Sequence, residues 1–239
     1  GESVEGFFDV VFQKPGSHVV SASIPDDALA LDNQRWAVVD VAAAVPVLII
    51  DDGGDDESLF LRLALSPSPK VSTGAEVQVE RSIFLREAIL ERYHAIFLMN
   101  VARLDEIEVE RLGQYARAGG GVVFFAGPQS DREFINQDLY KEGKGLFPLP
   151  LQSPATLLSD RLEEVPALTV NAEHPIFARI FGGTANNWLQ AIDVSRYYAT
   201  TPTWDASAAP DVWVLARLRN GAPGIAEERS VGGEGRAGG

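Results

Sequence analysis

A pair of carboxylates carries the clearest chemical potential in this sequence. Asp51 and Asp52 follow the apolar run Val47-Leu48-Ile49-Ile50 and open the acidic stretch Asp51-Asp52-Gly53-Gly54-Asp55-Asp56-Glu57. Clustered carboxylates supply hard oxygen ligands for Mg²⁺ or Ca²⁺, and ligands of open α/β sheets bind beyond the carboxyl ends of strands. Asn100 closes a second apolar run, Ala95-Ile96-Phe97-Leu98-Met99. Gly127 and Gln129 follow a third, Val122-Val123-Phe124-Phe125. If these runs are neighbouring strands, Asp51, Asp52, Asn100, Gly127 and Gln129 share one crevice, and they are the candidate ligand-binding residues. The spacing Asp51-x-x-x-Asp55 fails the calcium-loop pattern. A phospho-receiver corner would need an aspartate at Asn100. The alternative is a solvated loop whose acids favour the N-terminus of the following helix.

Nucleophilic chemistry is thinly provided. The chain has no cysteine and only three histidines, His18, His94 and His174. Cysteine-ligated zinc, iron–sulfur clusters, disulfides and thiol nucleophiles are thereby excluded. No Gly-x-Ser-x-Gly occurs, and no histidine is placed by sequence to activate Ser130. His174-Pro175 reads as a helix start. Gly119-Gly120-Gly121 lies after a helix and before a strand, the reverse of a phosphate loop, and reads as a helix C-cap. Trp188, Tyr197, Tyr198, Trp204 and Trp213 concentrate aromatics in the last third. Core packing is their default role, with an exposed ligand groove as the alternative.

The elements that must hold these residues follow from periodicity. Phe7 to Phe12, His18 to Ile24 and Trp36 to Val41 read as strands. They form either the tail of a β-sandwich or an extension of the next sheet. From Val47 to Phe125, strands buried on both faces alternate with helical segments at Ser58 to Leu65, Ile83 to Tyr93 and Asp105 to Ala118. A weaker strand spans Val77 to Glu80. That alternation is the mark of a doubly wound parallel sheet. Asp105 and Glu108 are spaced as a capping box. Further on, Arg132 to Tyr140 and His174 to Phe181 read as helices and Leu146 to Pro154 as a proline-rich loop. Ala191 to Ala199 reads as a strand. Val212 to Leu218 and Gly224 to Arg229 flank Asn220-Gly221, a hairpin turn signal.

Composition narrows the partners. The 239 residues carry 20 Lys+Arg against 34 Asp+Glu, a formal net charge of −14. Such a chain lacks the basic footprint of a nucleic-acid binder. No stretch reaches the ~20 apolar residues of a membrane span. The chain starts without a methionine or a signal-peptide pattern, so it reads as a piece of a longer protein, itself not membrane-inserted.

Four motifs in chain order carry a family resemblance: Asp27-x-Leu29 with Asp32-Asn33; Val45-x-Val47-Leu48-Ile49-Ile50-Asp51; His94-Ala95-Ile96-Phe97-Leu98-Met99-Asn100-Val101 with Leu104; and Tyr115-x-x-Ala118-Gly119-Gly120-Gly121-Val122-Val123-Phe124-Phe125. From about Gly16 to Arg236 the chain resembles the class I glutamine amidotransferase-like domain of large bacterial membrane proteins, similar to Bat-type aerotolerance regulators that also contain a von Willebrand A-like domain. The resemblance implies a flavodoxin-like, doubly wound α/β domain over residues 45–239, ending short of a further strand. It also implies that residues 1–44 are the last strands of an immunoglobulin-like sandwich. A true member of this enzyme class holds its nucleophilic cysteine on a strand-to-helix turn. Here Phe125 or Ala126 stands at that point, so glutamine hydrolysis is excluded.

The functional expectation is a non-catalytic binding or scaffolding domain of a membrane-anchored bacterial protein, with no cofactor. Its partners would be proteins or other domains of the parent chain, and its side of the membrane extracytoplasmic. A metal-assisted hydrolase using the Asp51/Asp52 corner and a purely structural spacer are the alternatives.

Overall fold

A computed structural model describes residues 10, 12, 14–24, 33–41, 43–53, 57–67, 74–158, 165–181, 192–201, 204, 205, 207 and 209–229. Four parallel strands form its centre: β3 (Val45–Asp51), β4 (Ala75–Glu80), β5 (Ala95–Met99) and β6 (Gly121–Phe125), in the order β4-β3-β5-β6. Leu48, Ile49 and Ile50 are completely buried. An unbroken β-branched and leucine run is what a strand covered on both faces requires. Each such side chain contributes ~1.5–3 kcal/mol of burial.

Two helices flank the first part of this sheet. α1 (Leu59–Leu65) links β3 to β4, and α2 (Glu106–Arg117) links β5 to β6. The two steps run in opposite directions along the sheet, so right-handed crossovers put α1 and α2 on opposite faces. The α2 face holds the main core, where Leu48, Ile50, Ile96 and Leu98 meet Leu85, Leu90, Leu112 and Tyr115. Helix α2 starts at the expected capping box. The Glu108 N–H donates to Asp105 Oδ1 at 2.8 Å, and the Asp105 N–H donates to Glu108 Oε2 at 2.9 Å. Its C-terminus turns at Gly119, whose φ of 92° favours glycine.

Between β4 and β5 the expected helix over Ile83 to Tyr93 is replaced by two 3₁₀ turns, Ser82–Arg86 and Leu90–Arg92. Arg111 of α2 explains the break. Its guanidinium donates to the carbonyls of Arg86 and Ala88, the latter at 2.5 Å. Those carbonyls would otherwise accept from the next helical turn.

After β6 the chain becomes irregular and antiparallel. α3 (Arg132–Phe134) runs into a π-helical turn, Ile135–Tyr140, within the expected helix. The expected loop over Leu146 to Pro154 is in part a strand, β7 (Leu151–Thr156), paired with β9 (Arg196–Thr200). The register shifts between Leu151 and Pro154, consistent with a residue that has no N–H to give the ladder. β8 (Leu168–Val170), which periodicity misses, lies beside β10 (Val212–Leu218), and β10 pairs with β11 (Pro223–Glu228) in the expected hairpin. A short helix, α4 (Pro175–Phe181), follows β8. The fold is therefore mixed α/β, a parallel sheet joined to antiparallel strands, rather than one doubly wound sheet throughout.

At the N-terminal side, β1 (Gly16–Ser23) and β2 (Gln34–Val41) pair with each other in a two-stranded sheet. They do not extend the parallel sheet. The expected strand at Phe7 to Phe12 lies largely outside the described residues. No described helix is long and apolar enough to cross a membrane.

Candidate functional site

The strand order has a consequence for where polar side chains gather. β3 and β5 are neighbours whose connections leave in opposite directions, the point at which open sheets form a crevice. Asp51 lies beside Met99 in register, and Met99 beside Phe125. The strand ends thus stand level, and the loops carrying Asn100, Gly127 and Gln129 meet there.

The structure brings Asn100, Gly127 and Gln129 together and ties their loops with hydrogen bonds. Asn100 is buried, 7% exposed, at a left-handed φ of 48°. Its Nδ2 donates to Glu57 Oε1 at 2.9 Å, and its Oδ1 accepts the Gln129 N–H at 2.9 Å. Gly127 gives its N–H to Ser130 Oγ at 3.0 Å, and its carbonyl accepts the Tyr198 hydroxyl at 2.9 Å.

The two aspartates are committed to backbone. Asp51 Oδ1 accepts the Gly53 N–H at 3.0 Å and Oδ2 accepts the Ser58 N–H at 2.9 Å, which fixes the turn into α1. Asp52 Oδ1 accepts the Ser82 N–H at 2.9 Å, away toward the end of β4. Among the described residues no three histidine, aspartate or glutamate side chains converge closely enough to hold a metal ion. The hydrogen bonds of Asp51, Asp52 and Asn100 run to the chain's own loops.

The histidines lie elsewhere. His174, at the start of α4, is 3% exposed. Its Nε2 sits 3.1 Å from Glu227 Oε2 and its ring meets Trp213 edge-on at 5.5 Å. Neither partner belongs to the strand-end corner. His18 Nε2 is 2.7 Å from the Lys14 carbonyl in the N-terminal hairpin. The His94 backbone bridges β3 and β6.

An open groove of about 410 Å³ lies in the irregular half of the molecule. That size is ordinary for small-ligand sites. Four segments build it. The end of the π-helical turn supplies Tyr140 and the 3₁₀ turn after it (Lys141–Gly143) Glu142, the approach to β7 supplies Pro148 and Pro150, the loop after β9 supplies Thr201, Trp204, Asp205 and Asp211, and the hairpin supplies Val212 and Glu228. Lys141, Glu142 and Gly143 hold successive positive φ values of 47°, 57° and 83°. For the two non-glycine residues that conformation is costly, about 1–3 kcal/mol each. Burial, with Asp211 adding its negative charge, raises the Glu228 carboxyl above the usual glutamate range. The Ser207 hydroxyl and backbone N–H donate to Asp205 and lower its carboxyl instead.

Sequence reading reached this groove only through the aromatic concentration around Trp204. Tyr198 serves the core and the Gly127 carbonyl, Trp213 is stacked under Arg229 at 4.3 Å, and Trp188 lies outside the described residues. Glu142, Asp205, Asp211 and Glu228 carried no motif, since their proximity depends on three separate segments of the chain.

No protein-family model matches the chain, and no curated protein does. Among solved structures, it is similar to a ThuA-like protein from Bacteroides uniformis, at 17% identity and a TM-score of 0.42. The similarity covers 75% of this chain and 71% of that one.

Proposed function

We propose that this chain is a non-catalytic binding domain, with the parallel sheet as scaffold and the irregular half as the binding face. The observation that carries the reading is the 410 Å³ groove lined by Trp204, Tyr140 and carboxylates. No described histidine, serine or lysine lines it, and the chain has no cysteine. The strand-end corner supports the same reading. On the resemblance, Phe125 or Ala126 stands at the turn where an amidotransferase-like enzyme would hold its nucleophile.

The resemblance to amidotransferase-like domains agrees with the strand order β4-β3-β5-β6, which is the start of the flavodoxin-like order. On that reading residues 45–239 are a flavodoxin-like domain of amidotransferase ancestry, residues 1–44 are an immunoglobulin-like remnant, and the parent is a membrane-anchored bacterial protein. Partners would then be proteins or neighbouring domains of that parent.

A thermal-melt screen tests the proposal, because a ligand that binds the native state raises the midpoint by mass action. The chain is melted with Mg²⁺, Ca²⁺, Mn²⁺ and a metabolite panel. A shift abolished by Trp204→Ala supports binding in the groove. A metal-dependent shift abolished by Asp51→Ala/Asp52→Ala, with hydrolysis of any panel ester or amide, contradicts it and points to a metal-assisted hydrolase.

A further inference from the structure

The β10–β11 hairpin turns on Asn220-Gly221, and Asn220 is the one asparagine in the chain that precedes a glycine. That pair carries chemistry of its own. The backbone nitrogen after an asparagine can attack the side-chain Cγ, and a glycine leaves that nitrogen unhindered because it has no Cβ. A new N–Cγ bond closes a succinimide ring while the Cγ–Nδ2 bond breaks. Ammonia leaves, and the attacking N–H gives up its proton. Water then opens the ring at either carbonyl and leaves aspartate or isoaspartate at position 220. Both Asn220 and Gly221 are exposed, so water reaches the turn.

The fold engages every group this step must use. The Gly221 N–H donates to the Leu218 carbonyl at 2.8 Å. Asn220 Oδ1 accepts the Ala222 N–H at 3.2 Å, and its Nδ2 donates to the Tyr197 hydroxyl at 2.6 Å. The first two bonds are made within the turn. The third comes from β9, and the Tyr197 ring is packed against the cluster of Leu157, Leu168, Ala216 and Leu218. A hydroxyl fixed by its ring cannot follow the amide toward the Gly221 nitrogen.

We propose that Asn220 is a site of spontaneous deamidation and that the Tyr197 hydroxyl is the restraint that slows it in the folded chain. The assignment does not depend on what the groove binds. Conversion exchanges the Nδ2 donor for a carboxylate oxygen beside Tyr197. The isoaspartate product also adds a methylene to the main chain inside the turn that joins β10 to β11.

Peptide mass spectrometry of the whole chain, aged in mildly alkaline buffer made with heavy-oxygen water, tests it, because each conversion takes up oxygen from the solvent. The wild type is compared with Tyr197→Phe, which keeps the ring and loses the hydroxyl. Asp105→Ala loses the α2 cap and so lowers stability away from the hairpin. Wild type unfolded in urea gives the unrestrained rate. Thermal melts establish that each variant folds. In urea, Asn220 is expected to take up label before any other asparagine. In the folded chain it is expected to react more slowly than in urea, about fivefold faster in Tyr197→Phe than in wild type, which is what one net hydrogen bond holds back, and no faster in Asp105→Ala. Equal rates for folded and urea-unfolded wild type overturn the assignment, whether or not Tyr197→Phe folds. Another asparagine labelled first in urea overturns it too. A Tyr197→Phe rate equal to wild type removes the restraint from Tyr197. Equal acceleration in Tyr197→Phe and Asp105→Ala traces the reaction to global opening and contradicts the proposal.

Discussion

Asn100 and Gly127 are packed so closely that a Cβ on Gly127 would lie 2.6 Å from Asn100 Cγ. Real side chains do not tolerate that approach. The glycine lets the loop after β6 close over the asparagine, whose amide then reaches Glu57 on one side and the Gln129 N–H on the other. Gly127→Ala must displace Asn100, and overpacking of this kind costs about 1–3 kcal/mol. Chemical denaturation at neutral pH measures the loss.

Asn100 itself separates backbone from side chain. At φ 48° glycine accepts the conformation without strain. Asn100→Gly therefore reports the lost amide bonds, and Asn100→Ala adds the cost of a left-handed alanine. The expected order of stability is wild type, then Asn100→Gly, then Asn100→Ala, with Asn100→Gly lower than wild type by about 1–3 kcal/mol for the buried partners left unsatisfied. Equal stabilities for all three would mean the corner holds nothing together.

The α2 capping box gives a second measure of scaffold energetics. Asp105→Ala removes the acceptor for the Glu108 N–H and one partner of Arg86. Loss of the cap costs about 1 kcal/mol. Glu108 is buried and also accepts from Arg86 Nε at 3.2 Å, so Glu108→Ala is expected to cost more than Asp105→Ala. Denaturant midpoints of the two variants check the ranking.

Glu228 sets a pH dependence with a defined sign. Its carboxyl is raised by burial and by Asp211, so the folded state holds a proton longer than the unfolded chain. Its contribution to stability is present below the ordinary glutamate value and is lost as pH rises through the raised one. Glu228→Gln is therefore expected to melt higher than wild type at pH 7, and the difference is expected to close under acidic conditions. Melting curves across pH 3.5 to 7 decide; an unchanged difference across that range would remove Glu228 from the buried, repelled position assigned to it.

Tyr115 titrates at the other end of the scale. Burial pushes its hydroxyl up to about 12, while the hydroxyl donates to the Tyr93 carbonyl at 2.9 Å. The neutral form is favoured by folding, so stability from this group is lost as pH rises from the ordinary tyrosine range through that value. Ultraviolet titration of tyrosinate should show one residue ionising later than the rest, and Tyr115→Phe should remove it.

Local signals were readable in the sequence where the cause lies within a few residues. The apolar run at Val47 to Ile50, the Asp105–Glu108 cap and the Asn220-Gly221 turn, where Gly221 adopts φ 85°, all formed as expected. The failures have distant causes. Arg111 reaches across to break the helix expected at Ile83 to Tyr93. Pro154 enters a strand because an irregular register spares it a ladder bond. At the strand ends, sequence located Asp51, Asp52, Asn100, Gly127 and Gln129 at one end of the sheet, but not the hydrogen bonds that commit them to the chain's own loops. The groove was legible only in Trp204. Glu228 carries no signal until the hairpin places it beside Asp211.

Amide chemical-shift mapping with the metals and metabolites of the melt screen tests the central claim most directly, that binding belongs to the groove and not to the strand-end corner. The account predicts perturbations at Tyr140, Glu142, Trp204, Asp211 and Glu228, including the Trp204 indole, with the corner unmoved. Perturbations centred on Asp51, Asn100, Gly127 and Gln129, with the groove silent, would contradict it.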